Sequence, residues 1–187
     1  MKTVCPDGHI FFMTYDSFRS GQGCPLCGRA KQKRTLYENG TAPCSMQQKH
    51  IAEVLSGELN YPVKELSLDI AFPNDKIYIE YDGSGHDLNV KRGDIAREEF
   101  DEKEKRRAYA LYRSGWLMMR IISHRDKMPS DSMLITMFET AKMLFDDGHH
   151  FVVFDIDNST IKYRDIEYLF DFGKVKVMKH KNQHGND

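Results

Sequence analysis

Four metal-type side chains inside the first 27 residues constrain this chain more than any other feature: Cys5-x3-His9, fourteen residues, then Cys24-x2-Cys27. Thiolates and a neutral imidazole are the ligands tetrahedral zinc prefers, and a Cys-Pro-Leu-Cys turn presents two sulfurs from one tight bend. Gly21 and Gly23 give the approach to that turn its backbone freedom. About forty residues without a large core rarely fold alone, and zinc supplies the missing stability. Phe11, Phe12, Tyr15 and Phe18 are expected to form a small aromatic core around the ion. The alternative is a reduced cysteine cluster without metal. Cys44, seventeen residues beyond Cys27, reads as a free thiol rather than a fourth ligand. The module therefore spans residues 1–40.

Charge is unevenly spread. The formal net charge is only -1, yet through residue 36 six basic residues (Lys2, Arg19, Arg29, Lys31, Lys33, Arg34) face two acidic ones, Asp7 and Asp16. Gly28 to Leu36 reads as a short basic helix whose Arg29, Lys31, Lys33 and Arg34 suit phosphates, with a solvated linker helix as the alternative. The 187 residues, 40% hydrophobic and 29% charged, suffice for one moderate core beside this module. No run approaches a membrane span, and the start lacks the apolar stretch of a signal peptide, so a soluble, cytoplasmic protein with no membrane partner is expected.

After Cys44 the pattern is regular. Ser45 and Gln48 form a capping box, and Ile51, Val54 and Leu55 follow at helical spacing until Gly57. Tyr61 to Leu66, Leu68 to Phe72 and Ile77 to Asp82 read as strands, the last two joined by a turn at 73–76. A charged helix is expected from about Ile95 to Ser114, then a buried strand from Trp116 to Ile122. The order is helix, three strands, helix, strand, an α/β (α+β) arrangement.

The strand pair carries the chemistry. A four-residue turn at 73–76 sets Phe72 against Ile77, Ala71 against Tyr78, Ile70 against Ile79, and therefore Asp69 against Glu80. Alternation puts Glu80 and Asp82 on one face with Asp69. Like charges opposed on a sheet repel, so three of them require a cation, a shared proton or full solvation. Converging carboxylate oxygens suit magnesium or manganese, with Asp69 and Glu80 as ligands; an exposed acidic hairpin is the bland alternative. His86 follows Asp82 across Gly83-Ser84-Gly85, placed to take a proton from a metal-bound water, although a lone loop histidine is usually inert. On the long helix Phe100, Glu104, Ala108 and Leu111 form the inward stripe, with Asp101 one turn earlier. Lys105, Arg106 and Arg107 would hold phosphates, or make helix salt bridges.

Downstream, Leu134, Met137, Phe138, Ala141, Leu144 and Phe145 mark an amphipathic core helix. Phe151 to Ile156 and Thr160 to Tyr163 form a hairpin around Asp157 to Ser159, and Val175 to His180 a further strand. Asp155 and Asp157 read as turn residues rather than a second metal site. Lys181 to Asp187 are expected to fray.

These motifs resemble two known groups. Cys5, His9 and the Gly-x-Gly-Cys-Pro-x-Cys run ending at Cys27 are similar to treble-clef zinc fingers attached to phage and bacterial endonucleases. Residues 45–122 resemble the PD-(D/E)XK nuclease superfamily, in its branch of very-short-patch repair and EDxHD phage homing endonucleases. The shared motifs are Ser45-x-x-Gln48, Leu68-Asp-Ile, Ile79-Glu-Tyr-Asp-Gly with His86, the acidic helix around Asp101 and Glu104, and Gly115 to Ile121.

The resemblance implies an αβββαβ core over residues 41–128, with a helix and hairpin extension over 129–187. It implies Asp69 as metal ligand, His86 as general base, Asp101 or Glu104 as assisting carboxylate, and metal-dependent cleavage of double-stranded DNA leaving 5'-phosphate ends. A single active site per chain nicks as a monomer and needs a homodimer, or two successive events, for a double-strand break, and a phage-encoded protein acting in a host cytoplasm is in keeping with the resemblance. Leu68 stands in place of the usual proline, Asp82 in place of the lysine, and Gln48 where a glutamate is common. Two other functions stay open: a non-catalytic zinc-dependent DNA-binding or regulatory protein on a nuclease-like scaffold, and an RNA nuclease.

Overall fold

The structure is a computed structural model that describes residues 1–164 and the backbone of 176–179. It begins with a two-stranded antiparallel hairpin, β1 (Lys2–Val4) and β2 (Ile10–Phe12), registered Lys2 to Phe12 and Val4 to Ile10. A one-and-a-half-turn helix α1 (Tyr15–Arg19) follows, capped by Thr14, whose hydroxyl accepts from the Ser17 N–H at 3.1 Å. Helix α2 (Pro25–Glu38) starts with proline at its first position, where the missing N–H costs nothing. It is three residues longer at its start than the basic run suggested.

Helix α3 (Met46–Leu55) carries both halves of its expected capping box: the Gln48 N–H reaches Ser45 Oγ at 3.1 Å, and Gln48 Oε1 accepts from the Ser45 N–H at 2.7 Å. Strands β3 (Glu58–Val63), β4 (Leu66–Phe72) and β5 (Ile77–Asp82) form an antiparallel meander. The β3–β4 boundary differs from the sequence expectation. Leu66 opens β4, paired with Val63 across a two-residue turn at Lys64 and Glu65. Lys64 adopts φ 53°, a left-handed conformation that no glycine or asparagine announces there. A short helix α4 (Leu88–Lys91) lies in the polar loop, ahead of α5 (Arg97–Arg113), β6 (Leu117–Ile122) and α6 (Asp131–Asp146). Strands β7 (Phe151–Asp155), β8 (Thr160–Arg164) and β9 (Lys176–Lys179) complete one sheet of order β3-β4-β5-β6-β7-β8-β9. Val175, His180 and residues 181–187 lie outside the described residues.

The sheet is mixed. β5, β6 and β7 run parallel and the flanking pairs antiparallel, and the central strands are buried on both faces. On one face α3 and α6 pack through Ile51, Leu134, Met137 and Ala141 onto Ile70, Ile79 and Met119. On the other, Ala108 and Leu111 of α5 join Trp116, Leu68, Tyr78 and Met118. Gly57 lies where a side chain could not: a Cβ would stand 2.5 Å from Ile70 Cγ2.

Among the described residues, no member of either core precedes Ile51. The expected aromatic core of the first module does not form, because Phe12, Tyr15 and Phe18 are exposed and Phe11 only half-buried. Three-residue strands and a five-residue helix present too little inner surface to cover them. Cys24 is the module's buried residue.

Candidate functional site

The hairpin loop brings Cys5 and His9 together, and the N-terminal turn of α2 brings Cys24 and Cys27. Their ligand atoms converge: Cys5 Sγ to His9 Nδ1 is 3.3 Å, Cys5 Sγ to Cys27 Sγ 3.5 Å, His9 Nδ1 to Cys27 Sγ 3.3 Å and Cys24 Sγ to His9 Nδ1 3.7 Å. A tetrahedron with zinc–ligand bonds of 2.0–2.3 Å has edges of about 3.3–3.8 Å. The four side chains form a cluster that can hold a metal ion such as zinc. Burial alone would raise the Cys24 thiol, but the backbone N–H groups of Cys27 and Leu26, together with the Cys27 and Cys5 side chains, outweigh it and bring it down to about 7. The Asp7 carboxylate, accepting from Cys27 Sγ at 3.2 Å, pushes that thiol above its usual value. Metal uptake must displace this proton, so it weakens as pH falls. Cys44 is not part of the cluster.

The carboxylates meet under the N-terminal half of α5. The three expected β4–β5 pairs form, from Phe72–Ile77 back to Ile70–Ile79, and the ladder stops there. Asp69 and Glu80 are not a ladder pair. What stands beside Glu80 in the parallel register of β6 is Arg120. Its Nη2 donates to Glu80 Oε2 and to Glu104 Oε2 at 2.7 Å each, and its Nε lies 3.3 Å from Asp82 Oδ2. Arg107 pairs with the other Glu80 oxygen and donates to the Ser67 carbonyl at 2.7 Å. Two expectations are corrected here. The guanidinia of Arg107 and Arg120 supply much of the cation the buried carboxylates require, so both Glu80 oxygens face arginine rather than an open ligand position. Arg107 is committed inward, not to a surface phosphate.

Asp82 orients the histidine. His86 Nδ1 is 3.0 Å from Asp82 Oδ1, and Nε2 lies 3.7 Å from Glu104 Oε2. The ring stands edge-on to Phe100 at 5.3 Å. The loop is pinned from below: Asp126 accepts from the Ser84 N–H at 2.8 Å, and a Cβ on Gly83 would strike that carboxylate at 2.4 Å. His86, Phe100, Asp101, Glu104, Lys105 and Arg120 line a cavity of about 330 Å³ together with Asp82. Asp101 is exposed on its rim. Asp69 is reached by Arg107, His86 and Arg120 through longer-range attraction and by the Gln48 side chain. Arg29, Lys31 and Arg34 are exposed on α2, and Lys33 is half-buried. Asp155 accepts from the Asn158 N–H at 3.0 Å and Nδ2 at 2.8 Å, the turn that its position suggested.

Arg120 is the residue the sequence reading passed over. A lone cation in the otherwise apolar Leu117–Ile122 strand was the available signal, since such a group is buried only with partners.

Burial pushes the Asp69 and Asp82 carboxyls above the usual range, although the neighbouring guanidinia pull them back. A carboxyl raised in the folded state favours protonation, so its contribution to stability is full below the unfolded value near 3.9 and is lost as pH rises through the folded value. Asp69→Asn should therefore gain in Tm relative to the wild type as pH climbs from about 4 to about 7. Thermal melts in metal-free buffer read this directly; a constant difference would mean that Asp69 does not carry the penalty.

No family model, curated protein or solved structure matches the chain. No helix among the described residues is long and apolar enough to cross a membrane.

Proposed function

We propose that the chain is a divalent-metal-dependent endonuclease of the PD-(D/E)XK type acting on double-stranded DNA, with Cys5, His9, Cys24 and Cys27 holding a structural zinc. One observation carries the reading: a histidine oriented by a buried aspartate opens onto a cavity that also presents Glu104 and Arg120. In the tautomer that carries its proton on Nδ1, 3.0 Å from the Asp82 carboxylate, the lone pair of His86 Nε2 accepts the proton of an attacking water. Glu104 Oε2, 3.7 Å away, favours the imidazolium that results. Arg120 adds positive charge where a phosphoryl group would gain negative charge, and Lys105 on the cavity wall would guide a phosphate in.

Asp69 would hold magnesium or manganese, since the close ion pairs of the two arginines go to Glu80, Asp82 and Glu104 instead. When bound, the metal supplies Lewis-acid charge to the phosphate. The Gln48 side chain favours the ionised form of Asp69, and Arg29, Lys31 and Arg34 give α2 an exposed basic face for the duplex.

A second reading is favoured by the arginine compensation itself: a non-catalytic zinc-dependent DNA-binding protein that keeps the ion network for structure. The test is cleavage of supercoiled plasmid with magnesium or manganese, alongside single-stranded RNA. The wild type should nick or cut DNA and leave ligatable 5'-phosphates. His86→Ala should lose about 10²–10⁴-fold in rate, and Asp69→Ala should bind DNA without cleaving it. A wild type that binds DNA and cleaves nothing, or variants that cleave equally well, would establish the second reading.

A further inference from the structure

Large apolar side chains left in solvent are concentrated on the zinc module: Val4, Ile10, Phe12, Tyr15 and Phe18 are 53–79% exposed. The hairpin pair explains part of this. Lys2 is registered with Phe12 and Val4 with Ile10, while Thr3 and Phe11 turn inward. The outer face is thus a patch of four side chains, an ammonium beside an exposed ring with two branched chains behind them. It is held in shape, because the Met1 ammonium donates to the Met13 carbonyl at 2.6 Å and the Cys5 N–H to the His9 carbonyl at 3.1 Å. Soluble surfaces seldom keep such a patch uncovered without a partner.

We infer that this outer face binds DNA where a base is freed from the helical stack, with Phe12 stacking on that base, Val4 and Ile10 packing beside it, and Lys2 reaching the adjoining phosphate. Charge selects the partner. The first 36 residues carry six basic side chains against two acidic ones, while the whole chain is at -1. A polyanion with apolar faces between its charges matches both properties of the patch. A second copy of the chain matches them poorly, because a two-fold contact through this face would oppose one Lys2 to the other and bring two positive modules together. The inference rests on the nucleic-acid substrate proposed above, but it concerns binding rather than cleavage.

The experiment is equilibrium binding of a labelled 20-mer, as duplex and as single strand, measured without magnesium, manganese or chelator across a salt series. Phe12→Ser should weaken binding by about 5- to 150-fold, the worth of one stacked base, without changing the salt dependence. Lys2→Gln should lower the slope of log K against log salt by about one unit. Phe12→Trp should restore affinity and show indole quenching on DNA addition; Trp116, 2% exposed, is shielded from the DNA and contributes a constant signal. Bound zinc per chain confirms that each variant is folded. Unchanged affinity in zinc-loaded Phe12→Ser and Ile10→Ser overturns the inference, as does a shift from dimer to monomer in Phe12→Ser with DNA affinity intact. Plasmid cleavage reads the nuclease proposal separately: a chain that cleaves while ignoring Phe12→Ser loses only this inference, and one that binds through Phe12 without cleaving loses only the nuclease.

Discussion

Replacing Glu80 with alanine is expected to cost about 3–5 kcal/mol of stability, a fall of roughly 6–20 °C in Tm for a chain of this size. Glu80 is 5% exposed and stands between Arg107 and Arg120. Removing it leaves Arg107 without its carboxylate and Arg120 with Asp82 and Glu104 alone, and a charge held out of water without its partner is among the most costly defects a core can carry. The cost belongs to the cation left without its partner and not to a large net stabilisation by the intact network. A double variant, Glu80→Leu with Arg107→Met, removes that pair together while Arg120 keeps Asp82 and Glu104 as partners, and should therefore recover much of the lost stability. Urea denaturation with a common slope distinguishes the two, since only a real stability change moves the midpoint alone. If Glu80→Ala melts within about 1 kcal/mol of the wild type, the network is hydrated and behaves as a surface ion pair would.

Removing zinc is expected to unfold the first module and spare the sheet. The module's strands are three residues each, and Cys24 is its buried side chain, so apolar burial offsets little of its conformational entropy. Structural zinc in modules of this size supplies about 10–16 kcal/mol of apparent binding free energy, which is then folding free energy. Chelation, or Cys24→Ser, should abolish hydrogen-exchange protection through α2. Protection in β5, β6 and β7 should survive, because their cores begin at Ile51. The junction will feel the loss: Tyr37 of α2 donates to Glu58 and packs edge-on against Tyr61 at 5.6 Å, which in turn meets Trp116 at 5.7 Å. One zinc per chain with protection lost on chelation is the expected result. Protection that persists without metal would show that the module folds on its own contacts.

Local signals wrote much of this molecule into its sequence. The Cys-x3-His and Cys-x2-Cys spacings put four ligands in reach of one ion because each pair needs only a single turn of chain. The Ser45–Gln48 box started α3 where expected, since both of its hydrogen bonds close within three residues. The 73–76 turn set the β4–β5 register for the three pairs that follow it. The Lys64–Glu65 turn was not legible, because Lys64 takes its left-handed conformation from the strands on either side rather than from its own preference.

The site divides along the same line. Asp82 and His86 are four residues apart, so their pairing was within reach of the sequence. Arg120 is not: it lies forty positions from Glu80, and only the parallel pairing of β5 with β6 sets the two side by side. The placement of α5 over the sheet likewise turned Arg107 from a surface cation into a half-buried partner of Glu80, and the two arginines together gave the carboxylates much of the positive charge they needed. The sequence determined which chemical groups this protein owns and the short-range geometry that holds the metal-type cluster and the histidine loop. The tertiary structure decided which charges face which, because Coulomb interactions in a buried site depend on distances that no local pattern encodes.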